Sequence, residues 1–67
     1  MNALEFLKSR DKQQNMAMCE RASTSYGYFI HLAHGRRSPS LKMAQKLNIA
    51  SDGEMTVVEL IPALADI

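Results

Sequence analysis

The stretch Met18-Cys19-Glu20-Arg21-Ala22-Ser23-Thr24-Ser25-Tyr26-Gly27-Tyr28-Phe29-Ile30-His31-Leu32-Ala33-His34-Gly35-Arg36-Arg37 decides how this chain folds. It reads as the end of one helix, a tight turn, a second helix, a glycine stop and a basic doublet. Ser23, Thr24 and Ser25 carry hydroxyls that compete for backbone hydrogen bonds, so they favour caps over helix interiors. Ser25 is the expected N-cap of the second of these helices, which runs to about His34 and stops at Gly35. Phe29 and Leu32, three apart, make its buried stripe, with Ala33 beside them.

Outward from that stretch, the signals for further helices are equally local. Asp11 with Gln14 three residues later has the form of a capping box, so the preceding helix starts near Lys12. Its inward positions are Asn15 or Met16, then Met18, Cys19 and Ala22. Asn2 can cap a first helix in which Leu4, Phe6 and Leu7 offer an apolar side. Lys8 and Arg10 sit towards its C-terminal end, where cations suit the macrodipole. Beyond Arg37, Ser38-Pro39-Ser40 is a turn, and Ser40 caps a fourth helix through about Leu47. Leu41, Ala44 and Leu47 recur along it and are expected to face the core. Residues 48–53 read as a loop. Thr56 with Glu59 makes a second capping box and opens a short fifth helix. There Val57, Leu60 and Ile61 pack back before Pro62 weakens any continuation. Val57-Val58 would also suit a strand in a small hairpin, but the cap favours helix. The expectation is an all-α domain of five short helices.

Sixty-seven residues make a single domain, residues 1–67. At this size a core is marginal, with about 60% of the unfolded surface buried. Cys19 is the only cysteine, which excludes a disulfide scaffold and fits a reducing interior. No apolar run approaches the roughly 18 residues of a membrane span, and no signal-peptide pattern opens the chain. The sequence therefore predicts a cytoplasmic protein with no membrane partner. The net charge of +1 hides an asymmetry. Residues 8–46 hold all eight basic side chains and two acids, a balance of +6, whereas residues 47–67 hold four acids and no base. Such a division points to an anionic partner for the basic part.

Two short helices joined by a turn of three or four residues form the helix-turn-helix unit, whose second helix can enter the DNA major groove. Burial of Phe29 and Leu32 leaves Tyr26, Gly27, Ile30, His31 and His34 for solvent or DNA. Gly27 destabilises the helix by roughly 1 kcal/mol relative to alanine. It serves either close approach of the backbone to DNA or tight packing against the preceding helix. Ser25 can cap the helix and also offer its hydroxyl to a phosphate. Tyr26 and Tyr28 offer rings for thymine methyls and hydroxyls for phosphates, one of the two being a packing residue. His31 can donate to a guanine acceptor. Arg36 and Arg37 follow the glycine stop and suit phosphate contacts, which give affinity and salt dependence with little specificity.

Ser23-Thr24-Ser25-Tyr26-Gly27-Tyr28, Ala33-His34-Gly35-Arg36-Arg37-Ser38-Pro39-Ser40 and Gly53-Glu54-Met55-Thr56-Val57-Val58-Glu59-Leu60 together resemble the helix-turn-helix core of the Cro and CI repressors of lambdoid phages. The closer similarity is to YdaS-type, Cro-like regulators of prophages. Ser23-Thr24 departs from the Gly-Val that many such turns carry. The resemblance implies a lambda-repressor-like helix-turn-helix DNA-binding domain. It places Gln14 and Asn15 where the family grips phosphate on the far wall of the groove.

The function expected is sequence-specific binding of double-stranded DNA through the major groove. The chain would act as a Cro-like transcriptional repressor of a phage or prophage operator in the bacterial cytoplasm, at the nucleoid. A homodimer on a two-fold operator is expected, with the apolar C-terminal residues Leu60, Ile61, Leu64 and Ile67 as its interface. The alternatives are the antitoxin or regulator of a prophage toxin-antitoxin module, and a helical protein–protein adaptor. His31 and His34 with Cys19 invite a metal reading, but no further ligand pair accompanies them. No phosphate loop or nucleophile motif is present, so no catalytic residue, metal, cofactor or small-molecule ligand is expected.

Overall fold

The computed structural model describes the backbone of residues 1–66 and the side chains of residues 1–64. Five α-helices follow one another: α1 Ala3–Ser9, α2 Lys12–Arg21, α3 Tyr26–Ala33, α4 Leu41–Ala50 and α5 Val57–Leu60. A 3₁₀ turn over Pro62–Asp66 ends the described chain, and no strand occurs among the described residues. Among the described residues, no helix is long and apolar enough to cross a membrane.

Each helix starts at a side chain whose oxygen accepts a backbone N–H that the helix itself leaves unpaired. Asn2 accepts from Glu5, Asp11 from Gln14, Ser25 from Tyr28, Ser40 from Met43 and Thr56 from Glu59. Asn2, Asp11 and Thr56 are the N-caps of complete capping boxes. The ends are as local as the starts. Helix α2 closes with Ser23 N–H donating to Glu20 O and Thr24 N–H donating to Cys19 O, at 3.0 and 2.9 Å. That is a Schellman pattern, and it puts Ser23 at φ 57°, in the left-handed region. The same pattern closes α3 at Gly35 (φ 77°) and α4 at Asp52 (φ 55°). Two of the three left-handed stops are thus built without glycine.

The core lies where α3 meets its neighbours: α1 and α2 pack on α3, α2 also packs on α4, and α4 packs on α5. Phe6 of α1 meets Phe29 of α3 edge to face, with ring centroids 6.2 Å apart. Met18, Cys19, Ala22, Leu32, Ala44, Leu47, Met55 and Leu60 fill the space around them. Arg10 covers the outer side of the Phe6 ring, 4.0 Å from its centroid, and pairs with Glu54.

Three expectations need correction. The fourth helix continues to Ala50, because Ser51 and Asn48 cross-link its end to the following segment. Asn48 Nδ2 donates to Met55 O at 2.9 Å, and Met55 N–H donates to Ser51 Oγ at 3.0 Å. Leu41 does not face the core but is 52% exposed, in the first turn of α4. Leu60 is buried inside the monomer and Ile61 and Leu64 are half-buried, so Leu60 is not free to form a dimer surface. The side chain of Ile67 lies outside the described residues.

Candidate nucleic-acid interface

Helix α3 owes its orientation to Phe29 and Leu32, which are both buried. Their inward turn leaves Gly27, His31 and His34 exposed on the opposite side, with Ile30 half-buried among them. Tyr26 and Tyr28 flank this stripe, and both are half-buried against the core. Packing therefore takes part of each ring rather than the whole of one. Ser25 is exposed, and its Oγ accepts the Tyr28 N–H at 3.0 Å.

A β-carbon added to Gly27 would meet no atom within 4 Å. Tight packing against α2 therefore does not explain this glycine. With no side chain at this exposed position, backbone is left bare in the first turn of α3.

At the other end of α3, the left-handed Gly35 turns the chain back on itself. Gly35 N–H donates to Leu32 O and Arg36 N–H to His31 O, at 3.2 and 2.9 Å. This returns Arg36 to the level of His31, with Arg36 Nη1 3.5 Å from His31 Nδ1. Arg36 and Arg37 are exposed, and neither enters an ion pair among the described residues. The acids that do pair are at the far end of the chain: Glu54 with Arg10, and Glu59 with the Met1 amine at 2.7 Å.

Gln14 and Asn15 fare differently. Gln14 is exposed at the start of α2, and its Oε1 accepts the Asp11 N–H at 3.1 Å. Asn15 must be corrected as a phosphate contact, being only 1% exposed. Its Nδ2 donates to Leu7 O, Arg10 O and Asp11 O at 3.0–3.1 Å. The amide thereby ties the frayed carbonyls at the end of α1 to the first turn of α2. Asn15 Oδ1 is buried with no hydrogen-bond partner. Reversing the amide would aim that oxygen at three carbonyls, so the orientation is set by repulsion as well as attraction.

Because Asn15 takes the inward position, Met16 is left outside, 46% exposed. With Gln13, Ala17, Thr24 and Tyr26 it lines an open groove of about 420 Å³, which joins the outer side of α2 to the start of α3. This surface was hidden in the sequence by the open choice between Asn15 and Met16.

Cys19 is buried in α2, and burial pushes its thiol up to about 11. His31 and His34 are exposed on α3, so the fold does not bring them to Cys19. Among the described residues, no group of three or more histidines, cysteines or carboxylates could hold a metal ion. No family model, curated protein or solved structure matches this chain.

Proposed function

We propose that the chain is a Cro-like helix-turn-helix protein that binds double-stranded DNA and represses transcription from a phage or prophage operator. In this reading α2 and α3 are the two helices of the unit, and α3 enters the major groove. The observation that carries it is the bare outward stripe of α3 (Gly27, His31 and His34), ending beside Arg36 and Arg37, which enter no ion pair among the described residues. Gly27 lets a phosphate or base edge approach the backbone, and Ser25 and Tyr26 stand at the helix N-terminus, which favours phosphate. His31 reads a base edge. Arg36, Arg37 and Gln14 grip phosphates, contacts that supply affinity without sequence preference of their own.

A single short helix reads few bases, so the proposal includes a homodimer on two half-sites about one helical turn apart. With Leu60 buried in the monomer, the exposed apolar side chains open to a partner copy include Ile49, 75% exposed, Leu41, 52% exposed, and Val58, 50% exposed.

Two substitutions separate positioning from reading. Arg37→Ala is expected to weaken binding to all duplexes alike and to lower the salt slope by about 1, as for one phosphate contact. His31→Ala is expected to relax preference at particular bases in sites selected from random DNA. Equal loss on selected and random duplexes would remove His31 from the reading surface.

A further inference from the structure

We infer that Arg36 sets the tautomer of His31, and through it the kind of base edge that α3 can read; this rests on the DNA-binding reading above. The contact follows from how α3 ends, so it does not depend on two side chains meeting by chance. In a Schellman stop, the second residue past the cap folds back over the residue three positions before it, and that pair is commonly apolar. Here the pair is Arg36 over His31, held by the 2.9 Å bond from Arg36 N–H to His31 O. A charged donor occupies a place where an apolar side chain ordinarily packs.

A guanidinium has five N–H donors, no acceptor, and never loses its charge in a protein. The ring nitrogen that faces Arg36 Nη1 at 3.5 Å is Nδ1. Against that donor, Nδ1 offers its lone pair, so the single proton of the neutral ring resides on Nε2. Nε2–H stands on the opposite side of the imidazole from Arg36, on the exposed outer face of α3.

That choice has a consequence in the major groove. An N–H there pairs with an acceptor: guanine N7 or O6, adenine N7, or thymine O4. It cannot accept from the amino groups of cytosine or adenine, which the other tautomer would favour. Guanine presents two adjacent acceptors and is the preferred partner. Arg36 is thus a positioning residue: it acts on specificity through His31, while its remaining N–H groups stay available for a phosphate.

The test has two arms. In the free protein, nitrogen-15 imidazole NMR at a pH where the ring is neutral should find His31 as the Nε2–H tautomer. Arg36→Met keeps the apolar stem without the donors and should return His31 to a mixture, whereas Arg36→Lys should restore the preference. His34, which lacks such a neighbour, is the control within the same spectrum. In the second arm, each guanine of a duplex selected from random DNA is replaced in turn by 7-deazaguanine. Wild type should lose about tenfold in affinity at one position, as expected for one base contact, and Arg36→Met should lose less than about twofold there. An Nδ1–H ring, or a tautomer indifferent to Arg36→Met, would overturn the inference. So would an equal 7-deazaguanine penalty in both proteins. If no duplex binds at all, the reading step falls with the DNA-binding proposal, while the NMR arm reports on the Arg36–His31 contact by itself.

Discussion

At the scale of single residues, Gly27 and Ser23 make opposite compromises. Gly27 sits in a helix where a β-carbon would fit, since nothing lies within 4 Å of the space it would take. Gly27→Ala should therefore raise stability by about 0.5–1 kcal/mol in urea titration, and weaken duplex binding in the same protein. A gain in stability with unchanged binding would place the groove contact elsewhere on α3. Ser23 is the reverse case, a side chain in the left-handed region at φ 57°. Ser23→Gly should stabilise by up to about 1 kcal/mol with no change in affinity, because the strain lies in the turn and not on the outward stripe. Asn15 shows a buried polar group acting as a clamp. Asn15→Asp removes the donor and aims oxygens at three carbonyls, at a cost of about 3 kcal/mol, measurable as a shift in the urea midpoint.

At the scale of helices, starts and stops are separate local decisions. Thr56→Ala should lose about 1 kcal/mol, since it removes the oxygen that accepts the Glu59 N–H. The Glu59 carboxyl is held below its ordinary value of 4.5 by the Met1 amine first, then by the Thr56 hydroxyl and N–H. A lowered carboxylate contributes stability that is present above its unfolded value and is lost as pH falls through the folded one. Acid titration should therefore show stability falling below about pH 4.5, and Glu59→Gln should flatten part of that fall. The five N-caps were legible in the sequence because each is a side chain acting within three residues of itself. The stop at Asp52 was not, since it takes a conformation that glycine ordinarily supplies, whereas the turn at Ser23 was legible from the resemblance, which puts glycine there. The end of α4 was missed for a different reason. Asn48 is a weak helix former on its own, and only its bond to Met55 O, across the following turn, makes continuation favourable. Leu41 was misread because its spacing from Ala44 and Leu47 matches a helical stripe, while its place in the first turn puts it outside the packed layer. The outward stripe of α3 was legible from Phe29 and Leu32 alone, whereas the return of Arg36 onto His31 needed the three-dimensional stop at Gly35.

At the scale of the molecule, a small core fixes which face of α3 turns outward. Phe29 and Phe6 are completely or almost completely buried and meet edge to face. Phe29→Ala should lose about 3–5 kcal/mol, which for 67 residues is most of the stability available, so thermal melting should become broad or vanish. The same packing turns Gly27, His31 and His34 outward, and the basic doublet enters no ion pair among the described residues, while Glu54 and Glu59 of the C-terminal part pair with Arg10 and the Met1 amine. Division of charge within a chain of net charge +1 is what a phosphate backbone would recognise. The central claim, that this surface binds duplex DNA, is tested most directly by the salt dependence of that binding. A helix-turn-helix protein gripping phosphates should lose affinity steeply, with log K falling linearly in log salt. Absence of detectable duplex binding at about 50 mM salt, where the electrostatic contribution is strong, would contradict it.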